Sequence, residues 1–169
     1  MDAKGLHAVF ADQLKDLYNA ESQLVKALPK LRDSADNSDL KDAISRHLEQ
    51  TKHQIIRLEQ LFERLDEKPT GQECFAMKGL IQEAYDVGRK HYAPPALDAA
   101  LIAVLQRIEH YEVAGYGTAR SFAKHLGDEE SANLLQQTLS EEAQADRVLS
   151  ELAENEINSR AIETGAAAG

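Results

Sequence analysis

One apolar pattern occurs twice in this chain, and it confines the fold. Leu14, Leu17, Glu21, Leu24, Leu28 and Leu31 recur at helical spacing on one face, and moving from Glu21 to Glu112, an offset of 91 positions, gives Leu105, Ile108, Glu112, Gly115, Ala119 and Phe122. Two matching helices therefore each carry a carboxylate inside an otherwise apolar stripe. A carboxylate buried without a partner costs several kcal/mol, so a pair at equivalent depth calls for something positive between them, most simply a metal ion.

The rest of the chain keeps the same period. Apolar residues recur at helical spacing nearly throughout, and strand-like alternation is found nowhere. The spacing predicts a first helix over 6–34 and a second over 40–65, separated by the turn-forming run Asp36-Asn37-Ser38-Asp39. Lys68-Pro69-Thr70-Gly71 closes the second helix, a shorter helix follows over 73–90, and Ala93-Pro94-Pro95 stops it. A long helix over 96–125 ends at Gly127, and another follows over 129–155. Two long hairpins joined by a crossover with its own helix make an all-α, ferritin-like four-helix bundle whose halves are related by a pseudo-twofold axis. Residues 1–158 form one domain on this reading, and 159–169, ending in Gly-Ala-Ala-Ala-Gly, form a flexible tail.

Composition narrows the functional classes. The 169 residues, 43% of them hydrophobic, suit a single domain with a sizeable core. A formal net charge of −10 opposes binding to phosphate backbones, so no nucleic-acid partner is expected. No apolar run approaches the roughly 20 residues of a membrane span, and acids occupy the opening segment where a signal peptide is basic and then apolar, so a cytoplasmic protein off the membrane is expected. Cys74 is the one cysteine, which excludes an internal disulfide and CxxC metal sites; it reads as a small residue packed on a helix. No activated Ser or Cys nucleophile and no Gly-rich phosphate loop is recognisable.

Metal-ligating residues are better represented. Glu109 and Glu112 project from neighbouring turns of one helical face, and Glu142 lies in the stripe Leu135, Thr138, Glu142, Ala145, Leu149, Leu152, with Asp146 one turn on. With Glu21, these five acids are the expected ligands. Oxygen donors of this kind suit iron or manganese, one ion or two, and a histidine nitrogen shifts the preference towards iron. The second helix offers no acid on its stripe of Leu40, Ile44, His47/Leu48, Thr51, Ile55, Leu58 and Phe62, only the polar His47, Thr51 and Gln54. Glu49 and His53 are spaced as a ligand pair, but each lies about 200° from Thr51 on the helix wheel, which assigns them to the surface or a subunit interface. Gln54, His47, Glu49 and His53 are therefore reserve ligands. Tyr18, Tyr111 and Tyr116 could relay an electron or proton, or serve as core residues with bonded hydroxyls.

These residues also carry a family resemblance. Tyr18-Asn19-Ala20-Glu21, His47-Leu48-Glu49-Gln50-Thr51, the run from Cys74 to Glu83, the block Glu109-His110-Tyr111-Glu112 continuing through Tyr116-Gly117-Thr118, and Leu139-Ser140-Glu141-Glu142 together resemble the YciF/YciE-type ferritin-like family over nearly the whole chain. The resemblance implies a bacterial helical bundle, associated with stress and assembled as a homodimer, with no established reaction. More distantly, the second half resembles rubrerythrin, with Glu109 and Glu112 matching its ExxE motif and Glu142 with Asp146 matching its ExxxH motif, Asp replacing His. Thr51 and Gln54 stand where that family's first hairpin has ExxH, which implies a lopsided, acid-rich site. Two functions follow: a metal-dependent redox or metal-handling factor that meets oxygen or peroxide, or a non-catalytic dimeric stress protein whose site has degenerated and holds no cofactor.

Overall fold

The computed structural model describes residues 5–167, and all regular structure among them is helical. The elements are α1 (Leu6–Ser34), α2 (Ser38–Leu65), α3 (Phe75–Gly88), α4 (Pro94–His125), α5 (Glu129–Leu152), a π-helical turn (Ala153–Ile157) and α6 (Asn158–Ala167). Each start has a local cause. The Asn37 side chain accepts the backbone N–H groups of Asp39 and Leu40 at the head of α2, Asp128 accepts that of Ser131 at the head of α5, and prolines occupy the first turn of α4, where the missing N–H costs nothing. Gly127, at φ +78°, ends α4 in a conformation that glycine adopts without strain.

The helices assemble as the duplicated pattern requires. α1 pairs with α2 and α4 with α5; the hairpins then dock so that α1 lies against α4 and α2 against α5, while α3 crosses over α1 and α4. The result is a ferritin-like four-helix bundle of two hairpins with an extra helix in the crossover. On α1 all six stripe residues are buried, Glu21 among them. On α4 the stripe turns slightly: Tyr116 is buried, whereas Gly115 and Phe122 are half-buried. Gly115 allows α1 to come close, since a Cβ there would lie 2.7 Å from Leu17 Cδ2.

Two apolar blocks make up the core. One contains Leu24, Leu28, Leu40, Ile44, Met77, Leu101, Leu105 and Leu149, and the other contains Phe10, Leu14, Leu17, Leu58, Phe62, Tyr116 and Leu135. Along α1, Glu21 falls between Leu17 of one block and Leu24 of the other. Polar residues thus form a layer between two apolar ones.

The chain stays helical past 158, where the sequence suggested a flexible tail. The wider π turn after Leu152 brings Ile157 into the core, and α6 continues against α4. The motif-poor tail sequence hides this, because the anchor is one isoleucine just upstream of it. None of the described helices is long and apolar enough to cross a membrane.

Candidate metal centre

All four long helices contribute to the polar layer. α4 supplies Glu109 and Glu112, three residues apart and so stacked on one face. α2 supplies His47 and α5 supplies Glu142. Each of these four offers a donor atom within 4.8 Å of the other three, and all four are buried. His47 is central: Nε2 lies 3.6 Å from Glu109 Oε1 and 3.8 Å from Glu112 Oε2, and Nδ1 lies 3.8 Å from Glu142 Oε2. Those distances are too long for hydrogen bonds but suit atoms that share a common neighbour. Glu21, from α1, adjoins Glu112 and receives a hydrogen bond from Tyr116 Oη at 2.5 Å.

The electrostatics are those of acids held out of water. Burial raises Glu21, Glu109 and Glu112 well above the usual carboxylate range, and the charges of neighbouring acids raise them further. Glu142 is pushed up to about 7 by burial, against the hydrogen bond from Gln54 that favours its charge. Burial pushes His47 down to about 4, which leaves a neutral imidazole with a free lone pair at neutral pH. Both His47 nitrogens, both Glu112 oxygens, Glu21 Oε2, Glu109 Oε2 and Glu142 Oε2 lack a hydrogen-bond partner among the described residues. Buried polar atoms are normally paired, so this concentration in one place is the mark of an intended partner. Three carboxylates and an imidazole make up a donor set that could hold a metal ion.

A supporting chain fixes Glu142. Gln54 Nε2 donates to Glu142 Oε1 and, at 3.1 Å, to Glu141 Oε2. Arg57 grips both oxygens of Glu141, each at 2.7 Å, and also reaches Thr138 Oγ1 at 3.1 Å. Such outer contacts set the angle at which a ligand presents its oxygen.

The expected ligands divide accordingly. The structure brings Glu109, Glu112 and Glu142 together, with Glu21 against them, and moves His47 from reserve to the centre. Asp146 lies outside the group, 25% exposed, accepting from Gln106 Nε2 at 3.1 Å and paired with His110 Nε2 at 3.1 Å. Gln54 is a support through its amide. Glu49 is exposed and paired with Lys52 at 2.6 Å, and His53 is exposed. Among the tyrosines only Tyr116 bonds the cluster; Tyr18 donates to Glu59, and Tyr111 bonds Asp16 and Cys74. Arg57 and Glu141 escaped the sequence reading, although their spacing beside Gln54 and Glu142 was the available signal.

Comparison with known proteins agrees with this architecture. The family described as "Domain of unknown function (DUF892)" matches residues 5–162. The chain is 43% identical over 162 residues to Protein YciF of Escherichia coli (strain K12), covering 95% of this chain and 98% of that protein. The crystal structure of the E. coli stress protein YciF superposes with a TM-score of 0.89 over 92% of this chain and 99% of that one. YcfI of Rhodopseudomonas palustris, 41% identical, gives 0.84 over 88% and 95%. A protein of Xanthomonas campestris pv. campestris at 18% identity shares the fold, with a TM-score of 0.78.

Proposed function

This chain belongs to the DUF892 family, and from that premise we propose that it is a stress-associated bundle protein that binds iron or manganese through His47, Glu109, Glu112 and Glu142, with Glu21 beside them. The observation that carries the proposal is the group of buried donor atoms with no partner of their own. Bound there, iron or manganese supplies redox chemistry towards oxygen or peroxide. The chain's own residues do the remaining work. The carboxylates offset the charge of a cation, and neutral His47 adds nitrogen to an oxygen-rich set. Tyr116 orients Glu21, while Gln54, Glu141 and Arg57 hold Glu142. The apolar blocks shield the layer from water above and below, which strengthens the electrostatic contacts within it.

A second reading draws on the weakened acidity of Glu109 and Glu112: acids kept neutral by burial can be stable without an ion, as in a non-catalytic homodimer whose site has degenerated. Metal analysis by plasma mass spectrometry, on protein purified without chelator or nickel resin, separates the two. Near-stoichiometric iron or manganese is expected in the wild type and its loss in Glu112→Ala. Metal-free protein that ignores added ions, or Glu112→Ala that keeps a full complement, would sink the metal reading. Cytoplasmic residence and dimer formation belong to the same proposal; light scattering on the purified chain tests the dimer.

A further inference from the structure

The buried centre has an approach. A cavity of about 220 Å³ lies between α2 and α5, with Arg46 and Gln144 at an exposed rim and Ile44, Leu105, Val148 and Leu149 among its walls. His47 and Glu109 lie among its buried lining residues. Both are at least nine-tenths buried, and both keep nitrogen or oxygen atoms without partners. One cavity is thus lined both by surface residues and by two of the proposed metal donors.

Its size and lining identify what it takes. A water-sized molecule occupies only about 10–15 Å³ on this scale, so oxygen or peroxide alone leaves most of the space unused, whereas an apolar cavity of about 150 Å³ admits benzene. Room for roughly nine non-hydrogen atoms follows by proportion. Apolar walls favour a hydrocarbon body, and the single buried acid on the lining, Glu109, offers an anion no partner. We infer that this cavity binds an uncharged, largely apolar small organic molecule, lying end-on to the His47–Glu109 face, as the substrate class of the buried centre. That such a molecule is a substrate rests on the metal-binding reading; that it binds does not.

Indole is a suitable probe, because it is bicyclic, uncharged and fluorescent, and the chain has no tryptophan to mask its emission. Titration of the full chain, both as purified and after chelation, should give a saturable blue shift in indole emission. Ala145→Phe fills the cavity from α5 and should weaken binding by about tenfold or more with metal content unchanged. Val148→Phe, on the same wall, repeats the test should Ala145→Phe fail to fold. Absence of saturable binding in protein that carries its metal overturns the cavity inference and leaves the metal reading standing. Binding undiminished in both variants overturns it as well, since the probe would then sit elsewhere. Indole binding that is lost in Ala145→Phe, in a chain that takes up no iron or manganese, upholds the binding site and refutes the metal reading instead. If a second copy of the chain fills the groove, the wild type will ignore indole and Ala145→Phe will change the mass in size-exclusion chromatography, which also overturns the inference.

Discussion

Asp98 and Glu112 are buried carboxylates of the same helix with opposite surroundings. Asp98 accepts the backbone N–H groups of Asp36 and Asn37 at 2.8 and 2.9 Å, so both its oxygens are partnered and the α1–α2 turn is tied to the N-terminal part of α4. Neither oxygen of Glu112 has a hydrogen-bond partner among the described residues. The first is a structural tie; the second is one of the donors of the proposed metal site. Asp98→Ala should leave two N–H groups without acceptors and cost about 1–3 kcal/mol, seen as a lower urea midpoint at unchanged slope; an unmoved midpoint would show that water replaces the tie. Glu112 was legible in the sequence because it interrupts an apolar stripe. Asp98 was not, since it follows Pro94 and Pro95 where no stripe has begun. His47 was half-legible: it sat on the α2 stripe, but that stripe read through Ile55, while the buried face runs through Gln54 and Leu61. A helix wheel drifts over several turns, and a drift of one residue separates a ligand from a bystander.

Helix ends were easier to read than faces, because their signals are local. The Asp36-Asn37-Ser38-Asp39 turn and Gly127 placed the breaks within about two residues of those observed. Asp128 shows what such an end contributes. It accepts the Ser131 N–H at 3.0 Å and the Ser131 hydroxyl at 2.5 Å, and it pairs with Arg64 of α2 at 3.1 Å. Burial alone would raise this carboxyl, but the contacts with Ser131 and Arg64 outweigh it and hold Asp128 below its ordinary 3.8. A depressed folded-state value means stability that is present above the unfolded value and lost as pH falls through the folded one. Asp128→Ala should therefore cost about 1 kcal/mol near neutrality, with the wild-type and variant urea midpoints converging once the pH drops below 3.8. A gap that persists in acid would assign the loss to packing. The π turn and α6 were the elements missed, because a single buried Ile157 leaves no periodic trace.

At the scale of the molecule, the polar layer between two apolar blocks divides stability between packing and whatever fills the layer. An ion bound only by the folded chain adds about 2.7 kcal/mol at a free concentration a hundredfold above its dissociation constant. For a chain of this length each kcal/mol moves the melting temperature by about 2–4 °C, so saturating iron or manganese should raise it by roughly 5–10 °C and EDTA should reverse the shift. A melting curve indifferent to both ions and to EDTA would favour the degenerate site. The sequence carried the bundle, the crossover and the acidic layer, since each rests on periodicity; it could not carry the cavity, which exists only where α2 and α5 face each other. The donors themselves are spread along the chain from Glu21 to Glu142, with His47 on the first hairpin and three acids on the second. Neither hairpin holds the set alone, so a chain emerging from the ribosome has no complete site until α5 has been made and the halves have docked. On the proposed metal reading, an ion can therefore be held only after the second hairpin has been made and docked, which puts loading after synthesis of α5.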